Sequence, residues 1–287
     1  MKERLKKRLM LAMTIFNRTV FGGLAIAVLY FGNWIFVSDK FIIPTDSMTP
    51  TLIPGDRIVV NKLIFGARIY KNLDFSKGQP LVSWRMPGLR RIRTGDVLVF
   101  NDPSGSDDWG QREFKINYIY AKRCIGTPGD TVSVERGFYR NFRLPGAIIG
   151  LESEQRRLAD MPDSLIPAPI FNTMPFDGSW TIRDFGPLWV PGRGDTIRLD
   201  DRLRGLYGRV IEYETGRRLA DTLITSYVFR DNYYFVGGDN VMNSGDSRYW
   251  GFVPEEFIVG VTRRIAYSRD RVTNELRRGR MWRKIPD

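Results

Sequence analysis

"IIPTDSMTPTLIPGDRIVV", residues 42–60, ends in the pattern from which the architecture can be read. The pair Gly55-Asp56 runs directly into the short β-branched segment RIVV. Glycine and aspartate tolerate turn dihedrals and the residues after them have β propensity, so the pair reads as a turn entering a strand. The same signature recurs at Gly95-Asp96 before VLVF, Gly129-Asp130 before TVSV and Gly194-Asp195 before TIRL. Further strands are predicted over 118–125, 233–236 and 257–265. Helical periodicity is scarce beyond residue 40, apart from a piece near 152–159. The chain beyond its first forty residues is therefore expected to be mainly antiparallel β. Residues 136–226, richer in Pro and Gly, are expected to form a second β subdomain inserted into the first. The Arg-Gly-Asp at 193–195 reads as a turn.

On the N-terminal side, Thr19 to Ser38 passes twenty residues without a charge. As a helix rising about 1.5 Å per residue, it spans roughly 30 Å, the hydrocarbon thickness of a bilayer. Lys2, Arg4, Lys6, Lys7, Arg8 and Arg18 precede it, with Glu3 the one acidic residue. The positive-inside rule puts this end in the cytoplasm and the remainder across the membrane. A cleaved signal peptide is the alternative. The run is long for one, and no small-x-small site follows it.

Composition narrows the chemistry. The 287 residues carry a formal charge of +12, which suits an anionic membrane surface; no recognition motif for nucleic acid accompanies it. There is no histidine, which removes Ser-His-Asp and Cys-His arrangements, HExxH sites and most zinc sites. No metal or other cofactor is implied. The single cysteine, Cys124, permits no internal disulfide and reads as a small buried strand residue.

Any hydrolase built on this chain needs another base. In "YIYAKRCIGTPGD", 118–130, strand alternation puts Tyr118, Tyr120, Lys122 and Cys124 on one face. From this segment alone Lys122 is either a solvent-facing lysine or a buried one whose depressed pKa makes it a general base. Ser47 is likewise a turn residue, a cap or a nucleophile. Without histidine, a Ser-Lys dyad is a natural pairing. A G-x-S-x-G elbow, S-x-x-K and Asp-Thr/Ser-Gly are all missing from the sequence.

Four segments, in order, resemble those of the type I signal peptidases, the bacterial leader peptidase family of membrane-bound Ser-Lys endopeptidases. They are "IPTDSMTPTLIPGD" at 43–56, "RTGDVLVF" at 93–100, "AKRCIGTPGDTV" at 121–132 and "GGDNVMNSGDSRYWGFVP" at 237–254. The resemblance covers the anchor, 41–135 and 233–265. It implies Ser47 as nucleophile and Lys122 as general base. It also implies Thr45 and the Ser47 N–H as oxyanion hole, Ser244 as the residue orienting the lysine, and Asp246 as support for that loop. Phe41, Ile43 and Ala121 would line shallow substrate pockets. The chain departs from the family at Val241-Met242, where many members carry Arg-Asp.

The implied organisation is a cytoplasmic basic N-terminus at 1–18 and a transmembrane helix at 19–38. The catalytic β core spans 39–135 and 227–270, with the inserted β subdomain at 136–226 and a basic C-terminal tail at 271–287. The partners would be signal-peptide-bearing precursors and the lipid bilayer. The location would be the bacterial cytoplasmic (inner) membrane, single-pass, with the catalytic domain on the outer, periplasmic face. An enzyme of the same fold dedicated to one substrate, an inactive scaffold and a membrane-tethered binder are the rival readings. From Arg263 to Lys284, nine basic residues face two acidic ones, a stretch read as a solvated face or as a contact for anionic headgroups.

Overall fold

The computed structural model describes residues 2–71, 83–101, 119–165, 180–219 and 224–286. A long helix, α1 (Lys2–Gly32), continues through a π-helical stretch, Asn33–Val37, directly into strand β1 (Ser38–Ile42). The helix begins well before the predicted span because residues 9–17 also lack charge, leaving Arg18 as an interruption between two apolar runs. It is long and apolar enough to cross a membrane by length and composition, and the rest of the described chain does not cover it.

After β1 come β2 (Asp56–Asn61), β3 (Arg68–Tyr70), β4 (Ser83–Arg85), β5 (Val97–Asn101), β6 (Ile119–Gly126), β7 (Thr131–Glu135) and β8 (Phe138–Asn141). Then follow α2 (Glu152–Ala159), β9 (Phe185–Trp189), β10 (Thr196–Arg198), α3 (Asp201–Thr215), β11 (Ser226–Val228) and β12 (Tyr233–Gly237). The short α4 (Ser247–Trp250), β13 (Val253–Pro254) and the long β14 (Ile258–Ser268) complete the fold. The main sheet is antiparallel with strand order β1-β2-β14-β5-β6-β12-β13. A three-stranded sheet, β8-β7-β9, and the pairs β3-β4 and β10-β11 stand beside it. Of the predicted strand 118–125, Tyr118 lies outside the described residues.

The four Gly-Asp pairs that precede predicted strands all end the same turn. Gly55, Gly95, Gly129 and Gly194 have φ between +84° and +96°, the value a type II turn requires at its third position. In each, the aspartate N–H donates to the carbonyl three residues back, as from Asp56 to Ile53 at 3.0 Å. Its carboxylate accepts from that same residue's N–H in return: Ile53 at 2.9 Å, Arg93 at 2.9 Å, Thr127 at 2.8 Å and Gly192 at 2.8 Å. The aspartate thus satisfies the turn's own backbone and the next strand starts at a fixed angle.

β5 is buried along its whole length because alternate residues feed two cores. Val97 and Val99 pack with Met48, Leu52, Ile58 and Val60, while Leu98 and Phe100 pack with Cys124, Val236 and Ile258. A third core joins Ile125, Phe235 and Phe252 to Phe185, Leu188 and Tyr207 of the intervening segment. The small sheet draws its central strand, β7, from before residue 136, so the hairpin β7-β8 crosses the expected start of the insertion.

The second subdomain is not purely β. α2 falls on the anticipated helical piece, whereas α3 is absent from the expected elements. Its signals are nonetheless local: Leu203, Leu206, Tyr207, Val210 and Ile211 follow helical spacing. The Asp200 carboxylate caps it by accepting from Leu203 N, and Gly216 ends it in the left-handed region. Gly205 and Gly208 within it obscure the pattern.

The basic C-terminal tail, expected as a solvated face or as a contact for anionic headgroups, also packs onto the domain, with bridges between Arg264 and Lys284 and between Arg269 and Leu276, and with Ile285 buried in the core that holds Met48. An apolar anchor at its far end and carbonyl partners for several arginines outweigh the solvation of its charge.

Candidate active site

Ser47 lies on the loop between β1 and β2, at the floor of a cleft of about 680 Å³. Phe41, Ile43, Thr45, Ile119 and Ala121 line the same cleft. β1 and β6 are separated in the sheet by β2, β14 and β5, and the sheet curls so that both face one space. β12 pairs with β6 at Arg123, Cys124 and Gly126. That edge of residues 119–122 therefore meets no strand among the described residues and opens toward the cleft.

Lys122 is 1% exposed, and its Nζ is hydrogen-bonded to Ser47 Oγ. The solvent-facing alternative for this lysine is thereby excluded. Burial pushes the Lys122 ammonium down to about 8; Asp246 opposes that fall, Arg248 adds to it, and Asp239 and Asp46 oppose it. Desolvation wins because an ammonium loses hydration here that no directly paired carboxylate among the described residues replaces. Charged, the amine donates to Ser47 Oγ. Neutral, the contact reverses and the hydroxyl donates to nitrogen.

Thr45 Oγ1 lies 3.4 Å from Ser47 Oγ. The turn at 44–48 is fixed by residues far along the chain: Asn240 N donates to Ser47 O at 3.1 Å and Asn243 Nδ2 to the Asp46 carboxylate at 3.1 Å.

Asp246 is fully buried and organises the loop that faces Ser47. Its carboxylate accepts from Gly238 N at 2.9 Å and from Arg248 Nε at 2.9 Å and Nη2 at 2.8 Å, and it caps α4. Burial alone would raise this carboxyl, but the Arg248 guanidinium, with help from Lys122 and Gly238 N, holds it below the ordinary carboxylate range. The Ser244 hydroxyl is buried and makes no hydrogen bond among the described residues, so no bond to Lys122 is formed. It sits against Gly238, where an added Cβ would lie 2.2 Å from Ser244 Oγ and 2.4 Å from Ser47 O.

Val241, one of the two departures from the family pattern, is buried in the third core, and its carbonyl accepts from Arg248 Nη2 at 2.8 Å. Ionic support comes instead from two buried pairs, Asp246 with Arg248 at 2.8 Å and Asp239 with Arg123 at 2.7 Å. Sequence reasoning misses the second pair, and with it Thr51, whose hydroxyl donates to Asp239 at 2.5 Å. Their one signal is position, Arg123 beside Lys122 and Asp239 inside the last family-like segment. Cys124 is fully buried, and burial pushes its thiol well up, which leaves it unreactive.

A family model for signal peptidase, peptidase S26, matches residues 16–267. Signal peptidase I of Buchnera aphidicola subsp. Acyrthosiphon pisum is 27% identical over 257 residues, covering 84% of this chain and 71% of that protein. Signal peptidase I of Pseudomonas aeruginosa is 29% identical over 238 residues, covering 78% of this chain and 63% of that protein. A crystal structure of a signal peptidase I from Enterococcus faecalis aligns at 20% identity with a TM-score of 0.31, over 60% of this chain and 96% of that one.

The close packing at Gly238 generates a prediction. Gly238→Ala should push the Ser244 loop off the Ser47 carbonyl and lower kcat on a precursor substrate by about 100-fold, as a misplacement near 1 Å does. Steady-state kinetics check it; unchanged kcat would contradict the packing described.

Proposed function

The chain belongs to the signal peptidase family, peptidase S26, whose members are membrane-bound and cleave signal peptides from precursor proteins, and on that premise we propose how its residues do so. Ser47 is the nucleophile and Lys122 the general base. The observation that carries this reading is the buried lysine amine hydrogen-bonded to a serine hydroxyl at the floor of a cleft. The neutral amine takes the hydroxyl proton as Ser47 Oγ attacks the scissile carbonyl carbon. The resulting ammonium then protonates the departing amine, leaving an ester on Ser47. The amine next deprotonates a water that hydrolyses this ester and frees the signal peptide.

The Ser47 N–H and the Thr45 hydroxyl serve the oxyanion, a contribution of several kcal/mol in such sites. Asp246 supports the loop through Arg248 and Gly238. For Ser244 we retain the orienting role: its buried hydroxyl has no hydrogen-bond partner among the described residues, a costly state that a bond to the Lys122 amine would relieve. An extended precursor segment lies in the cleft along the open edge at 119–122, with Phe41, Ile43 and Ala121 against its small side chains.

We place the chain in the bacterial cytoplasmic membrane with its N-terminus inside and the catalytic domain on the outer face, as the basic residues before the helix favour. Ser47 follows Ser38, the first residue of β1, by nine positions, so the catalyst stays near the surface where a precursor's cleavage site emerges.

Two outcomes test this. Ser47→Ala and Lys122→Ala should each abolish processing of a precursor with the fold intact by circular dichroism. Lys122→Arg should fail as well, because a guanidinium stays protonated; substantial turnover by any of the three would refute the dyad. The second concerns lipid. Trp282 and Met281 are 61% and 45% exposed beside exposed Arg278 and Arg283. Full-length protein in vesicles should process precursor several-fold faster with anionic lipid, at about 1 kcal/mol per basic residue near the surface. The gain should vanish on combining Trp282→Ser, Arg278→Gln and Arg283→Gln. A gain that survives the three changes would show that the tail takes no part.

A further inference from the structure

Three arginines of the C-terminal segment reach the loop that carries Ser47, and each donates to one of its main-chain carbonyls. Arg271 Nη1 donates to Pro44 O at 2.8 Å, Arg280 Nη2 to Thr51 O at 2.9 Å and Arg277 Nη1 to Pro54 O at 2.9 Å. The carbonyls fall on both sides of Ser47. Arg280 also grips Asp56 with two nitrogens, Nε to Oδ1 at 2.8 Å and Nη2 to Oδ2 at 2.5 Å. Asp56 is fully buried and is the same residue that closes the turn after the Ser47 loop. A planar fork grips the carboxylate with two nitrogens and the carbonyl with one of them in a single fixed geometry, which the point charge of an ammonium does not reproduce.

The segment is itself pinned at its end. Ile285 is buried in the core that holds Met48 and Leu52. The Pro286 carbonyl accepts from Arg123 Nη1 at 3.0 Å, and Arg123 Nε holds Asp239, which accepts from the Thr51 hydroxyl. A continuous set of contacts therefore runs from the C-terminal segment to the strand residue beside Lys122 and back to the Ser47 loop.

We propose that the C-terminal segment is a clamp on the nucleophile loop and that Arg280 is a positioning residue for Ser47. It touches no substrate; it fixes residues 51–56 and through them the aim of Ser47 Oγ at Lys122. The proposal rests on Ser47 being the nucleophile.

The test compares full-length wild type, Arg280→Gln, Arg280→Lys and Arg271→Gln in detergent micelles, with a signal-peptide precursor as substrate. Arg280→Gln should lower kcat about 30-fold while KM moves less than about threefold, and Arg280→Lys should fall between it and wild type. Amide hydrogen exchange across 48–56 should quicken at least roughly tenfold while β5 and β6 keep their protection. Unchanged kcat would overturn the proposal, and so would exchange that rises equally in every strand, since the segment would then only stabilise the fold. Should Arg280→Gln not fold, Arg271→Gln, whose residue is exposed, carries the same two measurements with a kcat loss of at least about threefold. Activity in Ser47→Ala would remove the nucleophile assignment, whereas the exchange comparison reads the clamp without reference to it.

Discussion

An ammonium taken out of water loses hydration worth several kcal/mol unless a partner replaces it, and Lys122 is almost wholly buried with no carboxylate bonded to it among the described residues. In the proposed mechanism that cost is what makes the residue useful. It favours the neutral amine, brings its pKa to about 8 and leaves the amine beside the Ser47 hydroxyl. At pH 7 about one such amine in ten is then neutral, against fewer than about one in a thousand for an ordinary lysine. The remainder of the site keeps that amine dry and close. Asp246 is engaged by Arg248 and Asp239 by Arg123, so neither carboxylate is left to neutralise the lysine by direct pairing.

The same handling of charge shapes the outer parts. A chain with a formal charge of +12 has many arginines to place, and several serve as connectors rather than as a solvated surface. Arg123, Arg248 and Arg280 are each tied to a buried aspartate. Guanidinium suits this work because it bonds two or three acceptors in one plane and stays charged when buried. Breaking such a pair leaves a buried charge uncompensated, at a cost of about 3–5 kcal/mol. Two of these links, Arg123 to Asp239 and Arg280 to Asp56, join segments far apart in sequence, which is how the loop after the anchor, strand β6 and the C-terminal segment come together.

Much of this is legible in the sequence where the cause is local. The four Gly-Asp turns are set by four consecutive residues each, and α2 by one short periodic run. Ser47 and Lys122 can be singled out because the lack of histidine leaves few bases and because both sit in family-like segments. Features that depend on distant partners are hidden. Arg123 and Asp239 are separated by 116 positions, and each alone reads as a surface charge. The docking of the C-terminal segment depends on acceptors in the Ser47 loop, so its arginines read only as a solvated face or a contact for headgroups. α3 is hidden for a local reason, two glycines inside a helix whose cap and spacing are otherwise plain.

The depressed pKa of Lys122 is the central claim, and it can be measured directly. The protein carrying lysine isotopically labelled at Cε is titrated by NMR in detergent, with Lys122→Arg identifying the Lys122 resonance. The expected midpoint is about 8, with the neutral amine present above it and the ammonium below it. A midpoint at the ordinary value of 10.5 would leave fewer than about one amine in a thousand neutral at pH 7, and would contradict the proposed role of Lys122 as the base.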